Sequence, residues 1–189
     1  MSAFEFFFSF YGLLLGLSVA AIAVGLATAI QHRKAVRIGW LTPLLALFLA
    51  LDMASFWDFA WSFLRDVPFS YGLLVIGLII ATIYFIAASL VFPHAIEDGL
   101  SLDDHFWANK KVVLLLSTAA NIVALLLAAP TILALPGGPL QMAQLCITGG
   151  LYVLLIVPAA FVRKGWLFAV LIGAYILLYL LIAVVSLFR

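Results

Sequence analysis

Six long apolar stretches, separated mostly by short polar ones, make up this chain. They lie near residues 5–30, 39–64, 69–92, 109–135, 140–162 and 165–188. Each is about 20 residues or longer, which is what a helix needs to cross a bilayer. The pattern predicts an all-α fold: a polytopic transmembrane helix bundle of six spans, forming a single transmembrane domain over residues 1–189. Only Pro93 to Lys110 is a substantial polar connection, so no room is left for a second domain.

Local punctuation agrees with these boundaries. Thr42-Pro43 suits a first helical turn, where proline loses no needed donor. Pro130 is expected to bend or end the fourth helix and Pro158 to kink the fifth, with a tight turn at the PGGP of 136–139. Ser101, with Asp104 three residues on, reads as a capping box, so a helix should start near Leu102. In the first span Gly12, Gly16 and Ala20 recur every four residues, which allows close helix approach within the chain or in an oligomer.

Composition excludes several classes. With 68% hydrophobic and 9% charged residues, the chain is too apolar for a soluble domain of this size. A net charge of +1 without a basic tract gives no case for nucleic acid. Cys146 is the only cysteine, which rules out an intrachain disulfide and a cysteine metal cluster. The opening MSAFEFFFSF has no basic n-region and reads as the start of a retained helix.

Charge then orients the bundle. Arg33, Lys34, Arg37, Lys110, Lys111, Arg163 and Lys164 fall on one side if the helices alternate, and Arg65 and Arg189 on the other. The positive-inside rule places both termini outside, with the two most basic turns in the cytoplasm.

The chemistry concentrates in the second span, GWLTPLLALFLALDMASFWDFAWSFL. At about 1.5 Å per residue, Asp52 lies roughly 20 Å from Gly39, near the middle of a ~30 Å hydrocarbon core. A carboxyl group at that depth is costly and marks a functional site by default. Asp52, Ser55, Asp58 and Ser62 share a sector of about 120°, a polar stripe from mid-membrane to the outer surface. Phe56, Trp57 and Trp61 flank it as a candidate hydrophobic ligand site. Ser18 in the first span, and Ser117 and Asn121 in the fourth, lie at depths that allow them to join Asp52. Tyr84 and Tyr152 also fall inside spans, and Tyr175 and Tyr179 stand one turn apart in the sixth, where core packing with a bonded hydroxyl explains them at least as well as a site does.

The loop residues His94, Glu97, Asp98, Asp103, Asp104 and His105 match no metal-ligand spacing, and hydration with helix capping accounts for them. No metal and no cofactor is expected. An enzymatic reading finds candidates only in this loop.

Tyr11-Gly-Leu-Leu-Leu-Gly-Leu, Gly39-Trp-Leu-Thr-Pro43 and Asp103-Asp-His-Phe-Trp-Ala-Asn-Lys-Lys111 together resemble an uncharacterised group of small bacterial six-helix membrane proteins. The resemblance implies a bacterial inner membrane and no particular activity.

Two functional readings follow. In the first, the chain is a small transporter or channel in which Asp52 handles a proton or cation, with Ser55, Asp58, Ser62, Asn121, Ser117 and Ser18 along the path. In the second, it is a non-catalytic accessory or assembly subunit of a larger membrane complex, or a lipid-, quinone- or pigment-binding protein. Its partners would be the lipid bilayer and, beyond that, a second copy or a larger complex.

Overall fold

In a computed structural model, residues 3–34, 37–64, 70–93 and 101–188 are described. They form six helices: α1 (Ala3–Gln31), α2 (Leu41–Leu64), α3 (Tyr71–Ser89), α4 (Leu102–Ala134), α5 (Gly138–Phe161) and α6 (Gly165–Ser186). All six are long and apolar enough to span a membrane, so the chain is a multi-pass transmembrane helix bundle. No strand occurs among the described residues beyond an isolated bridge between Arg37 and Ser101.

The second helix is the hub. It packs on α1, α3, α4 and α6, while α4 also packs on α3 and α5. Its inward face carries Leu45, Phe48, Leu49, Asp52, Met53, Phe56 and Ala60, all buried. These recur at three- and four-residue intervals, the period of one helix face. The opposite faces of the outer helices expose Leu, Ile, Val and Phe side chains, as a bilayer requires.

One end of the bundle is tied by polar contacts. The Leu102 amide donates to the Arg37 carbonyl at 3.4 Å, and the Thr42 hydroxyl donates to the Leu102 carbonyl at 3.2 Å. Gly39 makes room there for the Asp103 carboxyl group, which a Cβ at that position would force aside. His105 Nε2 lies 3.0 Å from the Leu90 carbonyl and closes the connection between α3 and α4.

Ser101 stands at the N-cap of α4 with extended backbone, but its side chain makes no capping bond, so the expected capping box does not form. The amide of Leu102, the first in the helix, is taken by the Arg37 carbonyl, which the capping box would not have supplied. Asp103 and Asp104 in the first turn still complement the helix dipole. Nor does Pro130 end α4, which runs on to Ala134. In a packed membrane bundle, neighbouring helices and local adjustments compensate the bond that proline removes. The PGGP turn forms as expected, with Gly137 at φ 76, a conformation that favours glycine.

Lys110 serves the fold as well as the charge pattern. It is buried, and its ammonium donates to the Ala159 carbonyl at 2.9 Å and to the Val162 carbonyl. It thus satisfies carbonyls that the end of α5 leaves without intrahelical partners, at the negative pole of that helix. Trp107 and Phe168 cover it with their rings, 4.8 and 5.4 Å away. Lys110→Met should lower stability in detergent by about 1–3 kcal/mol, because it leaves buried acceptors without donors. Lys111→Met, at an exposed position, should change thermal unfolding little by comparison. Equal stability of Lys110→Met and wild type would show that α5 does not depend on this cap.

Candidate functional site

Asp52 is fully buried, and its carboxyl group is gripped from four other helices. From α3, the Tyr84 hydroxyl donates to Oδ2 at 3.0 Å. From α4, Asn121 Nδ2 lies 3.2 Å from both carboxyl oxygens. From α5, the Tyr152 hydroxyl reaches Oδ2 at 3.5 Å. From α6, the Tyr179 hydroxyl makes the shortest contact, 2.7 Å to Oδ1. A single side chain on α2 therefore gathers α3, α4, α5 and α6.

A second layer supports the first. Asn121 Nδ2 also lies 3.0 Å from the Ser117 carbonyl and 3.1 Å from the Tyr84 hydroxyl oxygen. Two N–H bonds cannot serve all these acceptors at once, so the amide shares its donors among them. The hydroxyls of Ser117 and Tyr152 are 3.0 Å apart. Rings then wall off the cluster. Phe56 meets Tyr84 edge-on at 5.5 Å, Tyr175 stands at right angles to Tyr152 and Tyr179, and Phe48 lies against Tyr152 and Tyr175.

The chemistry of this set is one-sided. Each of the four groups can present an O–H or N–H to the carboxyl, and together they suit the acceptor-only carboxylate. Protonating Asp52 creates a donor that needs an acceptor, which a phenol supplies by turning its own hydroxyl hydrogen away. The arrangement thus places one titratable group in contact with side chains from four helices.

The residues expected beside Asp52 divide into two groups. Asn121 touches the carboxyl, and Ser117 touches Tyr152 one step behind it. Ser55 donates to the backbone carbonyl of Asp52 at 2.9 Å, and Ser18, although buried, donates to the Leu14 carbonyl of its own helix at 3.3 Å. Asp58 and Ser62 are exposed on the outer side of α2. Phe56 faces the core, whereas Trp57 and Trp61 pack outside against Phe8 at 5.5 and 5.2 Å. Phe56 is therefore not part of one surface with the two tryptophans. Arg65 and the loop residues His94, Glu97 and Asp98 lie outside the described residues.

Three contacts to Asp52, from Tyr84, Tyr152 and Tyr179, were not among the residues expected at the site. The signal for them is their depth: each lies about 20 Å along its helix from the helix start. No protein-family model, curated protein or solved structure matches the chain.

Proposed function

We propose that the protein is a small proton-handling transporter or channel of the bacterial inner membrane, with Asp52 as the group that takes up and releases the proton. One observation carries this reading: a buried carboxyl near mid-span receives donors from four separate helices and pairs with no cation among the described residues. Surrounding N–H and O–H donors turn their hydrogens toward the carboxyl and disfavour a metal cation, which needs oxygens turned toward it, so the species left for Asp52 to exchange is a proton. Gain or loss of that proton breaks or makes contacts on α3 to α6, which is how titration at one atom moves a bundle. The test is proton flux in proteoliposomes under an imposed pH gradient. Wild-type protein that carries no flux would defeat the reading.

The complete enclosure of Asp52 supports a second reading. In it the carboxylate only fastens five helices, and the chain is an accessory or assembly subunit of a larger membrane complex. Copurification of stoichiometric partner polypeptides from native membranes, together with absence of flux, is the result that favours it.

The proposed orientation puts both termini in the periplasm, with the end that holds Arg37, Ser101 and Lys110 in the cytoplasm. Reporter fusions after Gln31 should be active as cytoplasmic markers and those at the C-terminus as periplasmic ones. The reverse pattern would invert the bundle.

A further inference from the structure

At the end of the bundle that holds Arg37 and Lys110, three cations lack a counter-charge. Lys111 on α4, and Arg163 and Lys164 between α5 and α6, are all exposed. None of the three forms an ion pair with a carboxylate among the described residues. Asp103 and Asp104, the acids in the first turn of α4, lie about two turns before Lys111, roughly 11 Å along the axis. The negative pole of α5 does not occupy these cations either. Lys110 already donates to the Ala159 and Val162 carbonyls there.

The three cations are gathered about one connection, on top of an apolar surface. Lys111 Nζ stands 4.7 Å from the centre of the Phe161 ring, a cation–π contact. Phe161 is the last residue of α5, and Arg163 and Lys164 follow directly before α6 begins at Gly165. Phe161 is 57% exposed, and Trp166 at the start of α6 is 62% exposed. Both rings lie where spans leave the hydrocarbon, the depth at which aromatic side chains meet lipid headgroups. Further into the membrane, exposed Leu154 continues the face of Phe161 along α5, and exposed Val170 continues that of Trp166 along α6.

We propose that Lys111, Arg163 and Lys164 form a binding site for the headgroup of one anionic phospholipid, whose acyl chains lie along the exposed faces of α5 and α6. Charge complementarity selects the headgroup: three cations without carboxylates attract a phosphate diester, and basic pockets between membrane helices hold such headgroups. The guanidinium of Arg163 matches two phosphate oxygens, while the ammonium groups act as point charges. A zwitterionic headgroup fits less well, because its own ammonium would face the same cations. The apolar faces below argue for a lipid over free phosphate, which would use only the charges. The site stands apart from Asp52 and does not depend on proton handling or on the direction of the bundle.

Native mass spectrometry of the full-length protein in detergent, titrated with phosphatidylglycerol or phosphatidylcholine, tests the proposal. Wild type should retain one phosphatidylglycerol at least about tenfold more tightly than phosphatidylcholine. The triple variant Lys111→Gln, Arg163→Gln, Lys164→Gln should lose about tenfold or more of that affinity, since each cation near an anionic lipid counts for about fivefold. Its thermal unfolding without added lipid should match wild type, because all three side chains are exposed. Exchanging the cations instead, Lys111→Arg, Arg163→Lys and Lys164→Arg, should keep phosphatidylglycerol binding within about threefold of wild type. Phosphatidylglycerol should also raise the unfolding temperature of wild type where inorganic phosphate does not. Equal binding of the two lipids, or undiminished phosphatidylglycerol binding by the glutamine variant, would overturn the site. So would an equal loss in Arg33→Gln/Lys34→Gln, which would reduce the effect to diffuse charge at this end of the bundle. Equal stabilisation by inorganic phosphate would overturn the assignment to a lipid.

Discussion

Proteoliposomes carrying Asp52→Asn are expected to show proton flux at least about 100-fold below wild type, within the range lost when an essential acid–base group is removed. The amide keeps the size of the carboxyl group and one acceptor oxygen, but it cannot titrate. It also replaces an acceptor with an NH2 facing donors from Tyr84, Asn121, Tyr152 and Tyr179, so some loss of stability accompanies the loss of flux. Asp52→Leu removes every acceptor and strands these donors in the core. Hydrogen bonds between membrane helices are individually modest, so the combined cost should be roughly 2–4 kcal/mol. The decisive comparison is flux set beside thermal stability for all three proteins. If Asp52 only fastens helices, flux in Asp52→Asn will follow the amount of folded protein. If it carries the proton, flux will vanish from protein that is still folded. Wild-type flux retained by Asp52→Asn would acquit the residue.

Tyr179→Phe should be the most damaging of the three tyrosine-to-phenylalanine changes, lowering stability by about 1–2 kcal/mol. It removes the shortest contact to the carboxyl, 2.7 Å, and keeps the ring that packs against Tyr175. Tyr84→Phe, with a 3.0 Å contact, should come next. Tyr152→Phe should cost least, because its bond to Asp52 is 3.5 Å long and its hydroxyl also meets Ser117. The contacts share one acceptor, so the effects should not add. In an Asp52→Leu background, Tyr179→Phe should be nearly silent, with a coupling energy of about 0.5–3 kcal/mol between the two positions. Chemical or thermal unfolding of the two single variants and the double variant measures that coupling. Additive losses would mean that Tyr179 supports α6 by packing alone.

Both experiments address a site that was only half visible along the chain. Asp52 is legible by itself, because a carboxyl far inside an apolar stretch is expensive wherever the other helices lie. Asn121 is legible for a similar reason, since a buried amide at matching depth has to find a partner. The tyrosines are less so: a phenol inside a span is as well explained by packing as by chemistry. Only the placement of α3, α5 and α6 around α2 turns Tyr84, Tyr152 and Tyr179 toward one carboxyl. The stripe of Asp52, Ser55, Asp58 and Ser62 illustrates the opposite limit. Helical spacing puts the four within a sector of about 120°, but it cannot say how much of that sector neighbouring helices cover. Asp52 lies under them, whereas Asp58 and Ser62 do not.

Class, span number and helix limits follow from the sequence alone, because a bilayer forces the chain to satisfy its backbone within each apolar stretch. Apolar length therefore translates directly into helices, and α4 starts at Leu102 as Ser101 and Asp104 led one to expect, although the capping bond itself does not form. The depth of Asp52 follows too, since it depends only on position along its own helix. Tertiary structure decided what depends on rotation and adjacency: that α2 is the hub, that Lys110 caps α5, that the Arg37 carbonyl takes the Leu102 amide, and that four donors meet at one carboxyl. In a chain this apolar, nearly every helix face can pack against another or against lipid. The few polar side chains then distinguish one rotation from another, and they do so only once the helices are together.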